Sequence, residues 1–423
     1  MKRKLLISAV VVGMVLLAPA AHAAPVKLTY WHALGTQVGA AHEELIAEFN
    51  AAHPDIQVEP LYSGSLWTFR DKLMTSIAGG QAPDIAYIDQ FWSPQLARTG
   101  AIVKMQDFIE GPNGIDRDDI VPIAWETATV DGEIWTMPYA ISNQVLYYNK
   151  DMFREVGLDP EKPPTNWDEL IEYGKLLTRD VTGDGKVDEW GLTFPLKADE
   201  GGVYYYITHL WQAGGELYNE DFTAVAFNDE FGEKAAQFWW DLVHEHEITP
   251  LAPPAQGFQT GRIAMELGTS ARLAAHLEQV TFELGIAHMP SDEVKVTGLG
   301  GGNLAIFQNS PEKLEAAWTF VKWMTSPEIN LKWSKMTGYV PLRKSVLYSD
   351  DYQAFLKENP MIETFVSQLD YMRPRPNVLH YADMSRVLGL AVERIVFSRG
   401  DVNIQKILDD AAEEANDIVA KMQ

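Results

Sequence analysis

Short apolar runs and stretches of helical spacing alternate along residues 26–88, and this alternation restricts the fold more than any other feature of the sequence. Residues 26–31 form a β-rich run, and after Gly35 the apolar Leu45, Ile46 and Phe49 recur at helical spacing until His53-Pro54 breaks the pattern. Ile56, Val58 and Leu61 mark a second strand, residues 66–77 a second helix ending at Gly79-Gly80, and Ile85-Ala86-Tyr87-Ile88 a third strand. Strands joined through helices pair in parallel by right-handed crossovers, so all three end on one edge of one sheet, where open α/β sheets bind ligands. The residues delivered to that edge are Trp31, His32 and Gly35, then Tyr62, Gly64 and Ser65, then Asp89 through Trp92.

A chain of 423 residues exceeds what one core accommodates, so two domains are expected. Pro138 followed by an apolar run points to a crossing between domains at residues 139–143. A second α/β unit follows, with a helix capped by Asn166 and carrying Asp168 and Glu169 in its first turn. Strands are expected at 191–194, 263–267 and 284–288, and helices at 203–213 and 230–246. The glycines at 298–302 read as a break, with the chain crossing back just before them and a strand at 304–307. Ser310-Pro311-Glu312 opens a further helix, and residues 345–423 read as helical. The expected division is 24–140 plus 298–345 for one α/β lobe, and 141–297 plus 346–423 for the other.

Residues 1–23 have the layout of a secretory signal: basic Lys2-Arg3-Lys4, an apolar run, and the small-residue pattern Ala21-His22-Ala23. The apolar run is short of the ~20 residues a membrane span needs. A mature chain starting at Ala24, exported to a bacterial periplasm, is therefore expected. The net charge of −25 repels nucleic acid and anionic membrane surfaces alike. The chain has no cysteine, which removes disulfides, thiolate metal sites, cysteine nucleophiles and a lipidated cysteine anchor.

Trp and Tyr faces suit the C–H faces of sugars, and Asp or Asn pairs with hydroxyls, so the strand-edge set of Trp31, His32, Tyr62, Gly64, Asp89 and Trp92 suits a small polar ligand. Trp31 and Tyr87 also fit a core role, whereas Tyr62 and Trp92 lie in loop-like sequence. Gly300-Gly301-Gly302-Asn303 allows close approach of a backbone to a ligand, or a hinge, but fails the dinucleotide fingerprint. Asp180, Thr182, Asp184, Lys186 and Asp188 match the start of an EF-hand loop, with Gly191 where a bidentate Glu belongs. That loop is read either as a structural calcium site or as a metal-free turn; no other cofactor is expected. Nucleophile-elbow, zinc-helix and phosphate-loop patterns all fail. A carboxylate pair such as Asp84 and Asp89 leaves a secreted glycoside-acting enzyme as the alternative to a carrier.

The segments YWHALG, FNAAHPDIQV, APDIAYID, MPYAISNQVLYYNKDMF, PPTNWDEL, TSPEINLKW and TGYVPLRKSV together resemble the extracellular solute-binding proteins that serve ABC importers. The likeness covers the mature chain and is nearest the sugar and glycerol-3-phosphate-binding subgroup, more distantly maltose-binding protein. It implies two α/β lobes of the type II periplasmic-binding fold, a ligand in the cleft between them, closure, docking on a membrane permease, and no chemistry on the ligand. A monomer is expected. Carried over motif by motif, the implied contacts are Tyr62, Asp89, Ser142, Ser270, Gly301, Tyr339 and Arg386, beside the neighbouring Gly302 and Asn303. In glycerol-phosphate binders, positions resembling Ser270, Gly301, Tyr339 and Arg386 hold the phosphate; the other reading of Arg386 is a structural partner of Glu393 or Asp383. The sequence departs from those members at residues 196–204, where they have a tryptophan pair, and at Asp89, where they have Glu.

Overall fold

The computed structural model describes residues 24–422, so the leader expected at 1–23 lies outside the described residues. β1 (Val26–His32), α1 (Thr36–Ala52), β2 (Ile56–Tyr62), α2 (Leu66–Ala78) and β3 (Ile85–Asp89) follow in the expected order. β1 pairs in parallel with both β2 and β3, so the three strands do finish on a common edge. Helix α1 stops where the His53 N–H returns to the Phe49 carbonyl and Pro54 blocks another turn.

β4 (Met137–Asn149) is buried along its whole length. Beyond it come α3 (Trp167–Leu177), β5 (Trp190–Thr193), α4 (Glu200–Ala213), α5 (Glu230–His244), β6 (Ile263–Thr269), β7 (Leu284–His288) and β8 (Thr297–Ile306). α6 (Pro311–Met324), α7 (Pro327–Thr337), β9 (Met372–Pro374), α8 (Tyr381–Phe397) and α9 (Ile404–Met422) complete the elements that matter for the site. Asn166 caps α3 by accepting the Glu169 N–H, and Ser310 caps α6 by accepting that of Lys313.

The nine-stranded sheet has the order β2-β1-β3-β8-β4-β6-β5, with β9 alongside β8 and β7 alongside β4. β4 changes partners within its length. Up to Asn143 it lies antiparallel to β8, and from Gln144 it lies antiparallel to β6 and β7. β8 does likewise, pairing with β9 over its first residues and with β3 from Gly302 onward. Both strands thus belong to both halves of the sheet.

Side chains alternate between its faces with the period of two that a strand imposes. Ile85, Tyr87, Tyr139, Ile141, Leu304 and Ile306 enter one core cluster; Ala86, Ile88, Leu146, Tyr148, Ala305 and Phe307 enter the other. The first cluster continues into α1, α6 and α7, and the second into α2, α4, α5, α8 and α9.

Three sequence expectations are corrected. The glycines of 298–302 do not interrupt a strand but form the first half of β8, because β9 supplies the ladder along 297–299 and β4 along 299–302, with β3 joining from Gly302. Their missing side chains are filled space: a Cβ on Gly298 would lie 2.5 Å from the Tyr204 ring, on Gly300 2.7 Å from Ser142 Oγ, and on Gly302 2.6 Å from the Tyr87 ring. Residues 345–423 contain β9 among their helices. Trp92, read as a loop aromatic, is drawn into the core by the short 3-10 helix Gln90–Trp92 and packs edge-on to Phe69.

Candidate functional site

At the edge where β1 and β3 end, a cavity of about 210 Å³ is lined by Asp89, Ser142 and Tyr339 on one side and Glu200, Tyr204 and Arg375 on the other. Asp89 is the last residue of β3, and Ser142 sits where β4 is about to change partners. Tyr339 follows directly on Gly338, which ends α7 in the left-handed region. The backbone of Gly300 and Gly301 closes another wall, and Gly301 has φ +113°, which an L side chain rarely adopts.

From the opposite side, Asp199 caps α4 by accepting the Gly202 N–H, which sets Glu200 in the first helical turn. Arg375 follows β9 between two prolines that hold the segment extended. It is only 3% exposed and lies between the carboxylates, with Nη1 donating to Glu200 Oε1 at 2.5 Å and Nη2 to Asp89 Oδ1 at 3.0 Å. Its guanidinium stands 4.4 Å from the ring centre of Phe91 and 4.9 Å from that of Tyr204. The Glu200 carboxylate also accepts from Trp67 Nε1 at 3.3 Å, Tyr381 OH at 3.3 Å and Ser385 Oγ at 3.4 Å.

Burial dominates the electrostatics. It pushes the Asp89 carboxyl up to about 7, with Arg375 pulling down and Glu200 adding to the rise. The Glu200 carboxyl is also raised by burial, against the pull of Arg375. For Arg375 burial disfavours the charge, but Asp89 and the other acidic neighbours more than offset it and hold the guanidinium protonated.

The structure brings Asp89, Ser142, Gly301 and Tyr339 of the expected residues to this cavity, and places the others elsewhere. Trp31 packs under Lys72, whose Nζ is 4.5 Å from the ring centre. His32 is buried next to His42 and Glu43. Tyr62 is 53% exposed at the end of the edge strand, and Gly64 makes the turn into α2. Ser270 is fully buried, although its neighbours Thr269 and Ala271 reach the cavity. Gly302 lies within the ladder, and Asn303 is occupied by Thr127 and Thr136.

Arg386 is a correction in both of its readings. It lies 41% exposed on α8, 3.3 Å from Asp71 and 4.8 Å from the ring centre of Trp67, both on α2. Asp383 pairs instead with Arg70, and Glu393 accepts the Ala198 N–H. The sequence reading missed Glu200, Tyr204 and Arg375. The alternation Arg373-Pro374-Arg375-Pro376 marks an extended segment but not the side to which each arginine turns. Arg373 stacks on Trp211 and pairs with Glu216, while Arg375 turns inward.

Asp84 does not make a carboxylate pair with Asp89. It sits at the opposite end of β3, bound by Thr29, Asn309 and Lys313. In the 180–188 loop, Asp180 accepts the N–H groups of Gly183 and Gly185, and Asp188 those of Val181 and Thr182. Among the described residues no group of three or more His, Cys, Asp or Glu is arranged to hold a metal ion. Larger cavities lie elsewhere, among them one of about 630 Å³ behind Arg373 against Trp211 and one of about 740 Å³ beside the β7 edge. Neither gathers residues from the ends of both β1 and β3.

Two halves of a sheet that share β4 and β8, with a small cavity lined by residues from both, have the layout of a protein that binds a small solute. A profile of bacterial extracellular solute-binding proteins matches residues 44–361, and the chain belongs to that family. The sn-glycerol-3-phosphate-binding periplasmic protein of Escherichia coli K12 is 26% identical, over 98% of this chain and 97% of the relative. The cyclic alpha-maltosyl-1,6-maltose binding protein of Arthrobacter globiformis superimposes with a TM-score of 0.77 at 28% identity, covering 94% of this chain and 100% of that one. A solute-binding protein of an ABC transporter from Thermotoga lettingae, solved with alpha-D-tagatose, gives 0.82 at 26% identity, covering 93% and 100%. The fold is the two-lobe binding-protein fold, and the protein binds a solute rather than transforming one. The glycoside-acting alternative is set aside on that ground. Among the described residues no helix is long and apolar enough to cross a membrane.

Proposed function

We propose that this protein is the capture subunit of an ABC importer for a neutral, polyhydroxylated solute of the sugar type. Its relatives are named for sn-glycerol-3-phosphate or were solved as sugar binders, which sets the choice as one between an anionic and a neutral polyol. The observation that favours the neutral one is Arg375: both terminal nitrogens already donate to buried carboxylates, so its positive charge is already balanced inside the cavity. A hydroxyl can accept from a guanidinium and donate to a carboxylate at once, whereas a phosphate finds the one cation already engaged by carboxylates. The cavity is also small beside the ~300–1,000 Å³ of pockets for drug-sized ligands, which suits a single sugar ring.

In this reading Asp89, Ser142, Tyr339 and the Gly301 backbone meet the solute from lobe 24–140 plus 298–345 and its borders. Glu200, Tyr204 and Arg375 meet it from lobe 141–297 plus 346–423. The chain is exported through the leader at 1–23, works in the periplasm as a monomer, and delivers the closed complex to a membrane permease. Capture uses no cofactor, and calcium at 180–188 has no part in it. Calorimetry of the purified protein against monosaccharides, disaccharides and sn-glycerol-3-phosphate tests the assignment: a neutral sugar binds most tightly. Tighter binding of the phosphate ester than of every sugar would remove it.

A further inference from the structure

A cavity that only had to hold hydroxyl groups would not need an acid at position 200. Asparagine or glutamine would also hydrogen-bond a hydroxyl, without a buried charge, whose removal from water is costly. Yet three elements converge on that carboxylate: α2 through Trp67, α8 through Tyr381 and Ser385, and the segment after β9 through Arg375. The carboxylate also sits in the first turn of α4, where the helix end favours negative charge. Arg375 is the only cation among the described residues lining the cavity. Take the acid away, and one guanidinium arm and the start of α4 face the same space. That is the composition of an anion site.

We propose that Glu200 is a specificity-determining residue that keeps phosphate and other anionic solutes out. It holds the Arg375 arm that an anion would need and adds a charge of the anion's own sign. An entering phosphate must either draw Arg375 away from the Glu200 carboxylate or share the guanidinium with it at close quarters, and both are unfavourable. This rests on the neutral-solute reading above and names the residue that enforces it.

Calorimetry with sn-glycerol-3-phosphate, inorganic phosphate and a panel of neutral sugars, on the parent protein, Glu200→Gln and Glu200→Ala, tests it. Circular dichroism and melting temperature verify that each variant is folded, and the alanine variant covers the case in which glutamine packs badly against Arg375. Sugar binding weakens in both, while affinity for the phosphate ester rises at least about tenfold, the scale of one additional charge-assisted hydrogen bond. Adding Arg375→Gln to the variant whose affinity rises abolishes the increase. Folded Glu200 variants with no increase in affinity for either phosphate probe overturn the filter while leaving the sugar assignment standing. An increase that survives the loss of the guanidinium also overturns it. A parent protein that prefers the phosphate ester to all sugars removes the assignment itself, and the filter falls with it.

Discussion

Burial and an adjacent cation act on Asp89 in opposite directions, and burial is the larger, so its carboxyl is pushed up to about 7 from an ordinary value near 3.8. A group that holds its proton more tightly when folded gives its full stabilisation below the unfolded value, and loses it as pH rises through the folded one. The unliganded protein therefore loses the Asp89 contribution between about pH 4 and pH 7. Buried His209 and His276, drawn down to about 3 and about 4 by burial, act in the other sense and lose theirs as pH falls below 6.5. Comparison with Asp89→Asn separates the two, because only the first is removed. Melting temperatures measured from about pH 5 to about pH 8 shift progressively in favour of the variant; a difference independent of pH would mean that the carboxyl titrates normally. Gly301 allows a second test. With φ at +113° and a Cβ that would fall 1.9 Å from the Ala140 carbonyl oxygen, Gly301→Ala costs at least ~2 kcal/mol in urea unfolding. Asp89 was legible in the sequence because strand order alone carries it to the sheet edge. Arg375 was not, because its inward turn depends on packing against Phe91 and Tyr204, which no local pattern records.

Between elements, a set of side chains joins α2 to α8. Arg386 covers the Trp67 ring and reaches Asp71, while Asp383 takes Arg70 at 3.0 Å and Gln95 at 3.2 Å. These groups are partly exposed, and such ion pairs contribute only ~0.2–1 kcal/mol each. Arg386→Ala accordingly leaves the melting temperature within about 2 °C of the parent and speeds solute release roughly two- to fivefold, read by stopped-flow fluorescence. An unaltered release rate would show that the contact does not hold the lobes together. Asn166→Ala, at the start of α3, costs ~1 kcal/mol and acts on stability without altering affinity. The caps at Asn166 and Ser310 were legible because a cap is a contact within four residues of chain. The strand through 298–302 was not, since its glycines answer side chains from β3, β4 and α4 that lie far away in sequence.

For the molecule as a whole, each core cluster takes residues from both halves of the sheet, so the halves share their packing. Calorimetric unfolding shows one cooperative transition, and two resolved transitions would contradict the shared packing. Solute at a hundred times its dissociation constant adds about 2.7 kcal/mol to that transition. The alternation of strands and helices was enough to read the fold class, and the seven matched segments its family. The sharing of β4 and β8 between halves was not legible, because partner exchange inside a continuous strand leaves no mark on periodicity. It also governs the timetable of synthesis. β3 completes its ladder only against β8, which begins at Thr297, and β9 comes later still. A growing chain therefore cannot close its first sheet until most of it has left the ribosome. This delay leaves a long interval in which the polypeptide is still threadable through a narrow translocation channel.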